Sequence, residues 1–232
     1  MLLAVALSAA VARASPATIT RHDAAAVAHA INLRRSDLPG YTETSPHATT
    51  QDQKFVAEFD KCDRGVPQTR ALLVAHSQSF AGSGLDQTPG VSAVVEIWPS
   101  AALAERSLTA VPAARYISCF VSYSYAALRS EHPKGVSLRI SGATVPPLVQ
   151  DSDGAFNYRF TAEIRAKPAA TAANVRQRST GLSVAVYFAE FGFVYGQVVV
   201  AASLTTIEKP PSRSLEQHLA RSLLARTHKA VG

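Results

Sequence analysis

The sequence contains little cysteine, little charge and no long apolar run beyond its first residues, and each shortage excludes a class of protein. Its 232 residues include two cysteines, one tryptophan and one methionine, and 17% of them are charged. Two thiols alone do not form a zinc site. A content of 47% hydrophobic residues is not that of a disordered chain. No later stretch is apolar enough to span a membrane, so we expect one globular domain with a core.

Catalytic and cofactor motifs are missing as well. The seven histidines form no HxH or HExxH pair, so we assign no metal, and we expect no cofactor. The run Asp151-Ser152-Asp153-Gly154 begins like a calcium loop, but no acid follows it through Ala162, which favours a turn before a strand. The net charge is +6, yet no basic run is interleaved with aromatic residues. This pattern argues against nucleic-acid binding.

The first fifteen residues have the pattern of a signal peptide. Residues 2–11 form an apolar run of h-region length, and Ala12-Arg13-Ala14 is the small-x-small pattern that leader peptidases recognise. No Lys or Arg directly follows Met1, and a buried N-terminal helix is the alternative interpretation. We therefore predict that residues 1–14 are a signal peptide and residues 15–232 a single extracytoplasmic domain, with its core at about 24–226. The predicted location is secreted, in the cell envelope.

The two cysteines, Cys62 and Cys119, are predicted to form a disulfide, because two cysteines in an exported protein are more often paired than free. A bridge that closes a loop of roughly 60 residues stabilises a fold by roughly 4 kcal/mol through chain entropy. Both cysteines lie in predicted helices, so we expect the bridge to join two helices.

The order of predicted elements indicates an α+β domain, with an antiparallel β-sheet flanked by α-helices. Helical periodicity and capping residues predict helices over residues 24–33, 54–62, 101–111, 112 to about 129, and from Ser214 onward. Alternating or β-branched runs predict strands over residues 71–80, 91–98, 135–143, 155–166, 182–194 and 197–204. Polar composition predicts surface loops over residues 42–53 and 167–180.

Several short segments, in this order, are similar to one group of secreted bacterial proteins. They are Asp37-Leu38-Pro39-Gly40-Tyr41, Cys62, Ser79-Phe80, Val94-Val95-Glu96-Ile97-Trp98-Pro99-Ser100, Cys119, Tyr195-Gly196-Gln197 and a helix ending near Arg226. The chain thereby resembles the PknH-like extracellular sensor domains and the LpqN-type, PsbP-like secreted proteins of actinobacteria. The resemblance implies an antiparallel sheet flanked by helices, with a cleft for a ligand. The chain departs from the kinase-linked sensors in having one cysteine pair instead of two and no kinase part.

Three classes of function remain open from the sequence. The leading hypothesis is a non-enzymatic extracytoplasmic binding or sensor-like module for a small molecule, a lipid or an envelope component. The second is a secreted hydrolase that uses Ser77 or Ser79 with His76 and an acid, and the third is a structural module for a protein partner. The oligomeric state is not predicted. Candidate pocket residues, each of which could equally be plain core, are Tyr123, Tyr125, Phe156, Tyr158 and Tyr187.

Overall fold

Alternating apolar residues in the second half of the chain form long strands that dominate the architecture. The computed structural model of the protein describes residues 18–44, 59, 61–62, 65–82, 90–131, 136–166 and 183–232. Within these ranges the strands are β1 Tyr41–Thr44, β2 Leu73–His76, β3 Ser79–Gly82, β4 Gly90–Ile97, β5 Val136–Thr144, β6 Gly154–Ala166, β7 Ser183–Tyr195 and β8 Val198–Ile207.

In these ranges, one helix precedes the strands, two lie between β4 and β5, and one follows β8. They are α1 Ala24–Ile31, α2 Ala101–Thr109, α3 Ala113–Glu131 and α4 Arg213–Val231, with short 3₁₀ turns at Arg35–Asp37 and Gln68–Arg70. Ser100 caps α2 as predicted, because its hydroxyl oxygen accepts a hydrogen bond from the amide of Leu103 at 3.3 Å. Ser214 was predicted to open the last helix, but this prediction is wrong. The helix begins at Arg213 and Ser212 occupies the cap position.

All eight strands of the described ranges belong to one antiparallel sheet. Its order is β1-β3-β4-β8-β7-β6-β5, and β2 also pairs with β4. The predicted strand over residues 71–80 is therefore two strands, which meet opposite β4 with Ser77 and Gln78 between them. The predicted loop over residues 42–53 was wrong at its start, because β1 pairs with β3 there. The α+β fold class with an antiparallel sheet is confirmed.

The β7–β8 hairpin turns at Gly196 and Gln197, where Gly196 has a φ of 56° that suits glycine. The carboxylate of Asp153 accepts a hydrogen bond from the Gly196 amide at 2.7 Å. The predicted turn before β6 therefore also secures the hairpin beside it.

Helices cover both faces of the sheet. Because side chains alternate along a strand, odd-numbered residues of β4 such as Val95 and Ile97 pack against α1 and α4. Even-numbered residues of β4, including Val94 and Glu96, point to the opposite face, which α2 and α3 cover. This second face carries the candidate site.

The Cys62–Cys119 disulfide is confirmed, with Cα atoms 5.9 Å apart. Cys119 lies in α3 and is almost fully buried, and Lys61 and Cys62 have helical backbone. Of the helix predicted over residues 54–62, only Phe59, Lys61 and Cys62 are among the described residues. The predicted signal peptide at 1–14 and the loop at 167–180 lie outside them.

Candidate functional site

A cleft of about 280 Å³ lies between the sheet and the helices α2 and α3. Its floor consists of residues from the four central strands β4, β8, β7 and β6, and its roof of residues from α2 and from the start of α3. The aromatic side chains that line it are Phe59, Trp98, Tyr116, Phe156 and Tyr158, and the carboxyl side chains are Glu96 and Glu190.

The aromatic wall is a continuous stack. Phe156 and Tyr158 lie two apart on β6 and therefore share a face, and their rings stack with centroids 5.2 Å apart. Tyr158 stacks in turn on Tyr116 of α3 at 4.8 Å. Phe59 meets the other side of Tyr116 edge to face at 5.1 Å. The faces and edges of these rings form one wall of the cleft.

Two glycines let aromatic rings lie flat on the sheet. Gly192 of β7 is the register partner of Phe156, and a Cβ there would lie 2.5 Å from the Phe156 ring. Gly142 of β5 plays the same role for Phe160, on which Phe120 of α3 stacks at 3.9 Å. The Phe120–Phe160 pair fills the space between α3 and the sheet, so the open cleft begins only at Tyr116.

Glu190 is the charged group at the aromatic end of the cleft. It stands opposite Tyr158 in the β6–β7 register, and its Oε2 accepts a hydrogen bond from the Tyr116 hydroxyl at 2.5 Å. Burial raises the pKa of Glu190 above its ordinary value, and the Tyr116 hydrogen bond opposes part of that rise. Burial and the neighbouring Glu190 charge together raise the pKa of Tyr158.

Glu96 occupies the other end of the cleft. Its buried carboxylate accepts a hydrogen bond from Gln68 Nε2 at 2.5 Å and another from the indole Nε1 of Trp98 at 3.0 Å. In the register of the central strands, Glu96 and Glu190 lie two strands and four residues apart. The ordinary spacing of strands and residues then separates their Cα atoms by roughly 16 Å. The two acids therefore mark opposite ends of the cleft.

The five candidate pocket residues are not brought together. Phe156 and Tyr158 line the cleft, and Tyr123 lies beside it with its ring centroid 6.5 Å from that of Phe59. Tyr125 is 38% exposed, the one large hydrophobic side chain that is exposed in the described part of the chain. Tyr187 is at an odd-numbered position of β7, on the sheet face opposite the cleft.

Sequence reasoning did not identify the two carboxylates or Tyr116 as site residues. A signal was present, because Glu96 is the one charged residue of β4 and Glu190 the one charged residue of β7. A lone acid at an inward position of an apolar strand needs a partner or a function.

The hydroxyl of Ser77, a candidate nucleophile of the hydrolase hypothesis, has a structural role. The hydroxyl of Ser77 donates to the Gln78 carbonyl at 2.7 Å and accepts from the Ala93 amide at 2.9 Å. It thus holds the junction between β2 and β3 against β4. Among the described residues, no hydrogen bond joins the exposed His76 to Ser77 or Ser79. The described ranges also hold no group of three or more potential metal ligands, and no helix in them could cross a membrane.

Comparisons with known proteins show a similarity in structure and none in sequence. No family model matches the chain, and no curated protein matches it. The chain resembles the extracellular domain of PknH. That crystal structure, from Mycobacterium tuberculosis, is 11% identical over 92% of this chain and 98% of the other, with a TM-score of 0.41. The LpqN-type and PsbP-like part of the resemblance stays a prediction.

Proposed function

We propose that this protein is a non-enzymatic extracytoplasmic binding module that holds a small molecule or an envelope component in the cleft under α2 and α3. One observation carries the proposal: an aromatic-lined cleft with a carboxylate at each end opens over the centre of the sheet. Ligand sites are typically concave, mostly apolar and provided with a few placed polar groups. The cleft has each of these properties.

The disulfide and the predicted signal peptide support an extracytoplasmic location. Disulfides persist in oxidising compartments and are rare in the cytosol, and Cys62–Cys119 is paired. The bridge also serves the cleft, because Phe59 precedes Cys62 by one helical turn and packs on Tyr116, which precedes Cys119 by one turn. The disulfide therefore holds the outer aromatic wall in place.

The hydrogen-bonding pattern of the cleft supports binding over catalysis. The hydroxyl of Tyr116 and the side chains of Gln68 and Trp98 donate to the two carboxylates. These contacts fix the carboxylates in position, as expected of a preorganised binding site. Ser77, one of the two hydroxyl nucleophiles that the hydrolase hypothesis named, bonds to backbone atoms outside the cleft.

A thermal-shift screen of small molecules, lipids and glycans of the cell envelope tests the proposal. A ligand at one hundred times its Kd stabilises a protein by about 2.7 kcal/mol, which raises the Tm of a protein of this size by about 5 °C or more. Absence of any shift across the screen, in a sample that unfolds cooperatively, would contradict the proposal.

A cleft-filling variant locates the binding. Ala201 of β8 lines the cleft, so Ala201→Phe should abolish the shift by occupying its floor. Ala143→Phe is the matched control, because Ala143 is exposed on the edge strand β5 and should leave the shift unchanged. Equal shifts in both variants would place the ligand elsewhere on the protein.

A further inference from the structure

We propose that the cleft binds a compact ligand that carries a protonated or quaternary amine, with the cation against Glu190 and the apolar body on the Phe156–Tyr158–Tyr116 stack. The inference rests on the proposed function above and adds the chemical class of the ligand. It follows from the charges of the cleft, its aromatic faces and its size.

Glu190 differs in its partner from two other acids of the described chain, Glu216 and Asp37. Glu216 of α4 is paired with Arg159 at 2.5 Å, and Asp37 is paired with Arg226 at 2.9 Å. The partner of Glu190 is the Tyr116 hydroxyl, a neutral donor, and no cation of the described residues contacts it. A buried carboxylate is stabilised most by a counter-charge. A ligand cation would supply the charge that arginine supplies at the other two positions.

The aromatic rings around Glu190 favour the same ligand. The hydroxyl of Tyr116 donates a hydrogen bond to the Glu190 carboxylate, and Tyr158 is the register partner of Glu190. A cation placed against Glu190 would therefore lie within reach of both rings. Ring faces attract cations at centroid distances of about 6 Å or less, and clefts that combine aromatic rings with an acid are suited to alkylammonium groups.

The lining also disfavours an anionic ligand. The chain has 23 Lys and Arg against 17 Asp and Glu, yet among the described residues that line the cleft the charged ones are Glu96 and Glu190. A phosphate or carboxylate in the cleft would meet these acids with no basic side chain from the described lining. The carboxylate of Glu190 therefore favours a positively charged ligand over a negatively charged one.

The size of the cleft limits the ligand to a compact one. Its volume of about 280 Å³ lies at the lower end of ordinary ligand pockets, which span roughly 300–1,000 Å³. The Phe120–Phe160 stack closes the space farther along α3. An aromatic or short aliphatic amine fits this space, whereas a long acyl chain does not.

The single tryptophan makes the test direct. Trp98 lines the cleft and is the one tryptophan of the sequence, so its fluorescence reports occupancy of the site. The probes are phenethylamine, its neutral analogue 2-phenylethanol and the anion phenylacetate, titrated at pH 7.5. We expect phenethylamine to bind at least tenfold more tightly than either of the other two. Choline against 3,3-dimethyl-1-butanol repeats the comparison for a quaternary amine.

Two variants assign the preference to one carboxylate. Glu190→Gln retains the shape of the side chain and should lower phenethylamine affinity about tenfold, with little effect on 2-phenylethanol. Glu105→Gln is the control, because Glu105 is on the exposed surface of α2, the helix that roofs the cleft. It should bind all three probes as the native protein does. An unchanged amine affinity in a folded Glu190→Gln protein would overturn the assignment to Glu190.

A pH titration of the native protein gives a second test that needs no variant. Amine affinity should fall as the pH drops and Glu190 becomes protonated, while 2-phenylethanol affinity stays constant. The titratable groups around Glu190 are Tyr116 from α3, Tyr158 from β6 and Glu96 across the cleft on β4, while its β8 neighbour Ser203 carries no charge. Tyr158, whose pKa is raised by burial and by the Glu190 charge, stays neutral over the acidic range. A pH-independent amine affinity would contradict the inference.

The outcomes separate the inference from the proposed function. If 2-phenylethanol or phenylacetate binds as tightly as phenethylamine, and Ala201→Phe abolishes that binding, the cleft is a ligand site but not an amine site. If no probe and no envelope compound changes Trp98 fluorescence or the Tm, both proposals are wrong.

Discussion

Removal of the Cys62–Cys119 disulfide should destabilise the protein by about 4 kcal/mol. The bridge spans 57 positions of the sequence, and the loop-closure entropy of a chain that long, about 14 cal/mol/K, amounts to about 4 kcal/mol at 25 °C. Cys119 is 2% exposed, so alanine is the suitable replacement because a serine hydroxyl would be buried there. The double variant Cys62→Ala/Cys119→Ala thus isolates the loss of the cross-link.

Urea unfolding measures the effect. With a slope of about 2 kcal/mol per molar urea, a loss of 4 kcal/mol lowers the midpoint by about 2 M. The native protein unfolded in dithiothreitol is the matched control and should give the same midpoint as the double variant, because both lack the cross-link. A double variant within about 1 kcal/mol of the oxidised protein would refute the reasoning, since the bridge would then not restrict the unfolded chain.

The same variant should also weaken the cleft. Arg115 of α3 donates a hydrogen bond to the Cys62 carbonyl at 3.1 Å, and Phe59 packs on Tyr116 one turn earlier in each segment. Without the bridge, only non-covalent contacts such as these hold Phe59 against the stack. Phenethylamine affinity, measured by Trp98 fluorescence below the unfolding range, should fall in the double variant. An unchanged affinity would mean that Phe59 does not contribute to binding.

Three further perturbations have defined outcomes. Gly192→Ala places a methyl against both the backbone carbonyl of Val200 and the Phe156 ring, and should destabilise the protein by about 1–3 kcal/mol in urea unfolding. No loss would mean that the strand and the ring both shift freely to make room. Burial raises the folded-state pKa of Glu190, so the contribution of Glu190 to the free energy of unfolding is greatest at acidic pH and falls as the pH rises through that pKa. Glu190→Gln should remove this part of the pH dependence of stability, which urea unfolding from pH 4 to 8 measures. Arg226→Leu leaves the carboxylate of Asp37 without its bidentate partner and should cost about 2 kcal/mol by the same unfolding assay, and restoring stability with Asp37→Leu would confirm the cause.

The strands with strict alternation were predictable from sequence, and short polar elements were not. Strands β7 and β8 are apolar, β-branched runs around a glycine turn, and their pairing follows from that pattern. Strand β1, with the sequence Tyr-Thr-Glu-Thr, lies at the sheet edge and is largely exposed, so its polar composition resembled a loop. Edge strands receive little stabilisation from burial and therefore carry a weak hydrophobic signal.

The disulfide was predictable because it depends on two residues, whereas the cleft depends on contacts between distant strands. Phe156 and Tyr158 were found as an alternating aromatic pair on one strand. Glu190 became significant only through the register that sets it beside Tyr158 and through α3, which brings Tyr116 within hydrogen-bond distance. No spacing along the sequence encodes that arrangement, because it is created by the sheet order and by the packing of α3.

The two faces of the sheet each carry a buried acid, and the partners of these acids indicate different roles, one in stability and one in binding. On the face under α1 and α4, the buried carboxylate of Glu216 is matched by the guanidinium of Arg159, so that acid contributes to the packing of α4. On the cleft face, Glu190 accepts a hydrogen bond from the neutral Tyr116 hydroxyl. Burial raises the pKa of both acids, but at Glu190 a hydrogen bond and not an ion pair opposes the rise, so its ionised form opposes folding. A group that opposes folding in its charged form, at the wall of an open aromatic cleft, is characteristic of a site shaped for a ligand. The net effect of Glu190→Gln should therefore have opposite signs on stability at neutral pH and on amine affinity. If the role of Glu190 were purely structural, Glu190→Gln would lower the stability of the protein and leave its amine affinity unchanged.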